Sequence, residues 1–104
     1  MREVTIFTTG YRGFKCIEHI TSSHLKDCLN TVVIASDSSI EKDYVDDIID
    51  ICNKYSVKYI YRKDYSSIED NSDYCIAISW RWLINHKKVI VIHDSLLPKY
   101  RGFA

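Results

Sequence analysis

Three shortages narrow the field before any motif is considered. The 104-residue chain has one proline and three glycines, too few for a collagen-like, linker-rich or low-complexity polypeptide. No apolar run approaches the roughly 18 residues of a membrane-spanning helix. The opening Met1-Arg2-Glu3-Val4-Thr5 carries an acid and a short apolar stretch, unlike a secretory signal. Neither charge is in excess: 14 Lys plus Arg balance 14 Asp plus Glu. The chain as a whole therefore has no electrostatic claim on nucleic acid or an anionic membrane. Cys16, Cys28, Cys52 and Cys75 are widely spaced and form no Cys-x-x-Cys pair. Reduced, mostly buried thiols in a cytoplasmic protein are expected, with no metal and no disulfide framework.

What is present fits one ordinary globular domain spanning residues 1–104. The hydrophobic share is 46% and the charged share 27%, both usual for a chain with a packed core. Charge is unevenly spread. Residues 37–50 hold Asp37, Glu41, Asp43, Asp46, Asp47 and Asp50 against Lys42. Residues 81–101 hold Arg81, Lys87, Lys88, Lys99 and Arg101 against Asp94. A solvated acidic helix face with scattered surface lysines explains this, as does a basic end turned toward an anionic ligand.

Hydrophobic periodicity alternates along the chain. Residues 4–7 predict a first strand and residues 8–13 a turn. Phe14, Ile17 and Ile20 then recur as on one helix face. Residues 24–30 read as connection and 31–36 as a second strand. Ser38 and Glu41 have the spacing of a capping box, followed by a helix face of Tyr44, Val45, Ile48, Ile49, Cys52 and Tyr55. Residues 57–61 predict a third strand, 64–70 one helical turn, and 74–79 a fourth strand. A short helical or irregular piece over 80–85 precedes a fifth strand over 88–92. Strands alternating with helices call for a Rossmann-like parallel sheet flanked by helices. Ligands are then expected at its carboxyl edge, after strands one, four and five.

Three places on that edge carry candidate chemistry. Gly10-Tyr11-Arg12-Gly13, between a strand and a helix, is either a tight turn or an anion cradle of backbone amides. Gly10, Tyr11 and Arg12 are the candidate binding residues there. Trp80 and Trp82 follow the fourth strand, as core packing or as the wall of a flat ligand. Third, the apolar Val89-Ile90-Val91-Ile92 runs directly into His93-Asp94-Ser95-Leu96-Leu97-Pro98-Lys99-Tyr100-Arg101-Gly102. A histidine there serves as a structural hydrogen-bonder or as an acid–base group. Ser95 lacks the Gly-x-Ser-x-Gly elbow of a hydrolase nucleophile.

The HDSLLPKYRG segment resembles the signature of the formyltransferases that use 10-formyltetrahydrofolate. That family includes methionyl-tRNA, glycinamide ribonucleotide and sugar N-formyltransferases. His93, Ser95-Leu96-Leu97-Pro98 and Arg101-Gly102 fall at the family's spacing. Ile78-Ser79-Trp80-Arg81-Trp82-Leu83-Ile84 is similar to the segment that holds the folate's pterin ring. The Tyr100-Arg101-Gly102-Phe103-Ala104 ending most resembles the sugar and methionyl-tRNA branches.

The resemblance implies the formyltransferase fold, incomplete at its carboxyl end, with 10-formyltetrahydrofolate as cosubstrate. It implies His93 as the catalytic residue and Trp80, Arg81, Trp82, Leu83 and Ile84 as cofactor-binding residues. Gly10, Tyr11, Arg12, Ser95, Leu96, Leu97, Pro98, Arg101 and Gly102 are the implied substrate-binding residues. The acceptor is an amino-sugar nucleotide or methionyl-tRNA, whose primary amine attacks the formyl carbon. An Asn and a His donate to the developing oxyanion, about 3 kcal/mol each, while an Asp manages proton transfer. The Asn position, two before His93, is Val91, and the Asp would lie beyond Ala104. A truncated or inactive formyltransferase part is therefore expected, or else a non-catalytic folate- or anion-binding α/β remnant. An open sheet edge also invites pairing with a second copy.

Overall fold

The computed structural model describes residues 2–86 and 88–92. Nine elements follow one another: β1 (Val4–Thr8), α1 (Gly10–Thr21), a 3₁₀ turn (His24–Cys28), β2 (Leu29–Ile34), α2 (Val45–Lys54), β3 (Lys58–Tyr61), α3 (Arg62–Tyr65), β4 (Tyr74–Ile78) and β5 (Val89–Ile92). The five strands form one sheet in the order β3-β2-β1-β4-β5, and every pairing is parallel. The chain is thus an α/β protein with a helix-flanked parallel sheet, as the alternation predicts.

The strand order decides how the two faces are covered. From β1 the chain steps to β2 and β3, then returns past β1 to β4. Crossovers of one hand put their helices on opposite faces when the direction of winding reverses. On one face α1 and α2 bury Ile6, Val32, Ile34 and Ile78 of the sheet against Ile17, Val45, Ile48 and Cys52. On the other, Phe7, Val33 and Cys75 form a smaller core, flanked by Ile60, Tyr65, Trp80, Ile84 and Val89. α3 contributes a single turn of four residues to that side. The period-2 alternation of β1 therefore separates two unequal cores, Ile6 in the larger and Phe7 in the smaller.

Several element boundaries differ from the sequence expectation, each for a tertiary reason. The turn predicted over 8–13 is nearly absent, because α1 starts at Gly10. Gly10 adopts φ +82°, in the left-handed region that glycine enters freely, and its amide donates to the Asp43 carbonyl at 2.7 Å. Ser38 and Glu41 do not cap α2, which begins seven residues after Ser38, at Val45. Asp43 takes that role: its Oδ1 accepts from the Val45 amide at 3.2 Å. The Asp43 carbonyl accepts from both Gly10 N and Thr9 Oγ1, so the loop is drawn back onto the end of β1 before the helix starts. The 24–30 connection contains a 3₁₀ turn, entered through Ser23 Oγ, which accepts from Leu25 N. The helical turn expected over 64–70 is α3, ending at Tyr65. Residues 80–85 are irregular.

Candidate functional site

In an open parallel sheet the crevice for ligands lies where the winding reverses, at the carboxyl ends of the strands. Here that point is the junction of β1 and β4. Thr8 and Ile78 are register partners at the ends of these strands. The Thr8 hydroxyl donates to the Ile78 carbonyl at 2.7 Å, which ties the two exits together. Gly13 makes this closeness attainable, because a Cβ there would overlap Thr8 Oγ1. The second glycine of Gly-x-x-Gly thus serves helix–sheet packing, the role a small residue has wherever a helix lies hard against a strand end.

The two described groups of candidate residues leave the sheet side by side. Gly10, Tyr11 and Arg12 open α1 after β1, and Trp80 to Ile84 follow β4. Ser79 turns the chain off β4 with φ 54°, an uncommon conformation for a non-glycine residue. The first loop is not a bare cradle of amides, since the Gly10 N–H is spent on Asp43. Tyr11 is 57% exposed and packs edge-on against Tyr44, with ring centres 5.5 Å apart.

The Trp80–Ile84 segment divides by role. Trp80 packs edge-on against Phe7 at 5.5 Å and against Trp82 at 4.9 Å, which continues the small core to the sheet edge. Trp82 lies between the guanidinium groups of Arg62 and Arg81, 5.0 and 4.9 Å from its ring centre. Such cation–π contacts are worth about 0.5–1 kcal/mol at exposed sites. Ile84 packs into the small core, whereas Leu83 is 98% exposed.

Arg81 is fixed by an acid that sequence inspection noted but assigned no role. Its Nη2 donates to Asp37 Oδ1 at 3.1 Å, joining the segment after β4 to the loop after β2. Asp37 is 8% exposed and also accepts from the Ser39 hydroxyl at 2.5 Å and the Ser39 amide at 3.0 Å. The Ser39 hydroxyl first, its amide next and the Arg81 charge together hold the Asp37 carboxyl below its ordinary value, against a smaller opposing effect of burial. The signal available in the sequence was position alone: Asp37 is the first acid past β2.

One polar atom at this edge is unanswered. The Trp80 indole N–H is buried and has no hydrogen-bond partner among the described residues. Buried donors are normally paired. A flat heteroaromatic ligand with a ring acceptor fits this set: an unanswered indole N–H, two tryptophan rings, and an irregular backbone whose amides and carbonyls no ladder uses.

Val91 lies in β5 opposite Ala77, and Ile92 lies opposite Ile78. His93, Ser95, Leu96, Leu97, Pro98, Arg101 and Gly102 fall outside the described residues. No helix among the described residues is long and apolar enough to cross a membrane. Comparison of the chain with family models, with curated proteins and with solved structures finds no match.

Proposed function

We propose that this chain is a folate-facing formyltransferase scaffold of low intrinsic activity, acting on or derived from enzymes acting on a primary amine. One observation carries this. Ile78 pairs with Ile92, so β4 and β5 end side by side at the sheet edge that also carries the β1 exit. In sequence, the Ser79–Ile84 segment follows the first of these strands and the His93–Gly102 motif the second. Formyltransferase chemistry needs the folate ring and the oxyanion donor to meet in that way.

Trp80 and Trp82 would hold the ring, with the Trp80 N–H answering one of its acceptors. Arg81, fixed on Asp37, would line the anionic side of the crevice. Bound there, 10-formyltetrahydrofolate would supply the formyl carbon. His93 would donate one hydrogen bond to the oxyanion, and the second donor is lacking because Val91 carries no polar atom. Losing one such donor lowers a rate by about 10²-fold or more. Gly10, Tyr11 and Arg12, with the Ser95–Pro98 and Arg101-Gly102 positions, would face the acceptor, an amino-sugar nucleotide or methionyl-tRNA. A reducing, cytoplasmic setting suits the free thiols of all four cysteines.

The test is calorimetric titration of the purified chain with a folate, alongside a formylation assay using 10-formyltetrahydrofolate and an amino-sugar nucleotide. Folate binding with turnover far below about 1 s⁻¹ is expected, with binding weakened by Trp80→Ala. Absence of folate binding would overturn the folate assignment, and wild-type turnover at about 1 s⁻¹ or faster would overturn its low activity.

A further inference from the structure

At the opposite end of the sheet, side chains from the approach to β4, from β4 itself and from the chain before β5 converge. Asp70, Cys75 and His86 each present one ligand atom, and these atoms lie within 4.8 Å of one another. Cys75 is fully buried in β4, while Asp70 and His86 are half-buried at its amino end and after it. A cavity of about 650 Å³ opens beside them, lined by Asp70 and His86 together with Glu69, Asp73 and Lys88. We propose that Asp70, Cys75 and His86 form a site for a thiophilic divalent cation of the zinc class.

The geometry suits such an ion. With metal–sulfur near 2.3 Å and metal–oxygen near 2.1 Å, a tetrahedral centre sets S···O at about 3.6 Å. Cys75 Sγ and Asp70 Oδ2 are already 3.7 Å apart. His86 must close by at most about 1.2 Å to reach the same spacing, and it sits on irregular chain free of ladder constraints. One sulfur, one imidazole nitrogen and one carboxylate oxygen form a set preferred by zinc over magnesium or calcium. Two of the three ligands, Asp70 and His86, line the cavity, and zinc sites with three protein ligands keep one coordination place open.

The carboxylate is held as an outer shell would hold a ligand. Asp70 Oδ1 accepts from the Thr5 hydroxyl at 3.1 Å and the Ser72 amide at 3.0 Å. Its Oδ2 accepts from the Tyr65 hydroxyl at 2.5 Å. These donors orient the carboxylate from β1, α3 and the approach to β4. Cation binding breaks the Cys75 S–H bond, whose proton leaves to solvent, and the sulfur lone pair goes to the cation. It also gives up the Lys88 N–H to His86 Nδ1 bond of 3.1 Å, because a neutral imidazole has one ring lone pair for either role.

Titration of the reduced full chain with Co²⁺ as the optical probe tests this independently of folate. One equivalent should bind with a thiolate-to-cobalt charge-transfer band, displaceable by Zn²⁺. Cys75→Ser should abolish the band. His86→Gln, on irregular chain outside the core, should weaken binding roughly tenfold or more with unchanged far-ultraviolet circular dichroism. The combined Cys16→Ser and Cys28→Ser variant should bind as wild type. Absence of the band at excess cobalt, its survival in Cys75→Ser, or its loss in the Cys16→Ser and Cys28→Ser variant would each overturn the site.

Discussion

The two faces of the sheet are built from the same strands, yet they differ in almost every respect. The face under α1 and α2 is aliphatic, with nine fully or nearly buried residues in one cluster. The opposite face has three, and it is finished by aromatic rings, a buried acid and an irregular tryptophan segment. The first face closes by hydrophobic burial, which needs no partner geometry. The second closes through polar and aromatic contacts with defined directions: Tyr65 hydroxyl on Asp70, Arg81 on Asp37, Phe7 between Tyr65 and Trp80. Stability comes mainly from the first. Candidate chemistry gathers on the second and at the two ends of the sheet beside it.

That contrast is open to direct measurement. The largest effect belongs to the aliphatic face: Ile48→Ala empties a fully buried position under α2 and should cost about 2–5 kcal/mol in denaturant unfolding. A loss well under 1 kcal/mol would mean that the two-helix face is not the main stabiliser. Gly13→Ala should come next. Its methyl meets the Thr8 side chain and, through it, the Thr8–Ile78 bond. Overpacking of this kind costs about 1–3 kcal/mol. It should also disturb tryptophan emission, because Trp80 lies two residues past Ile78.

The smallest effect is an acid-range change confined to the second face. The Asp37 carboxyl is depressed in the folded chain, so its contribution is fully present above its unfolded value near 3.9. It is lost as pH falls through the lower folded value. Both tryptophans of the chain stand at this edge. Below about pH 4, tryptophan emission should therefore change before the helical signal of α1 and α2 does, and Asp37→Asn should remove that early step. Coincident transitions in wild type would show that the two faces melt as one unit.

β5 extends the contrast to the sheet's edges. Parallel strands are normally covered on both faces, and Val32 and Val33 in β2 are fully buried. Ile90, Val91 and Ile92 are about half exposed. All four β5 residues are apolar, whereas β2 includes Asn30 and Thr31, so apolarity alone did not set their burial. Position in the sheet did.

The class of fold was legible because alternating periodicities are local: a strand shows period 2, a helix 3.6, and each is written in neighbouring residues. The run Thr31 to Ile34, the face Val45-Ile48-Cys52 and the tryptophan segment after β4 could all be read from the sequence. The start of α2 could not, since Ser38 and Glu41 satisfy the local capping rule while Asp43 wins through its long-range bonds to Thr9 and Gly10. Of the candidate residues at the carboxyl edge, Gly10 to Arg12 and Trp80 to Ile84 do emerge from neighbouring strands, though Leu83 faces solvent and Gly10 spends its amide within the chain. The expectation of no metal stood on cysteine spacing alone. Cys75 and His86 are 11 positions apart, a separation that means nothing until β4 and the chain leading to β5 are folded beside Asp70.

By itself, then, the sequence determined the elements, their alternation and the parallel sheet, because burial periodicity and β-branched runs act over a few residues. The tertiary structure decided strand order, the inequality of the two faces, the pairing of Asp37 with Arg81, and the meeting of Asp70, Cys75 and His86. Those depend on where the winding reverses, and that reversal is a property of the whole chain.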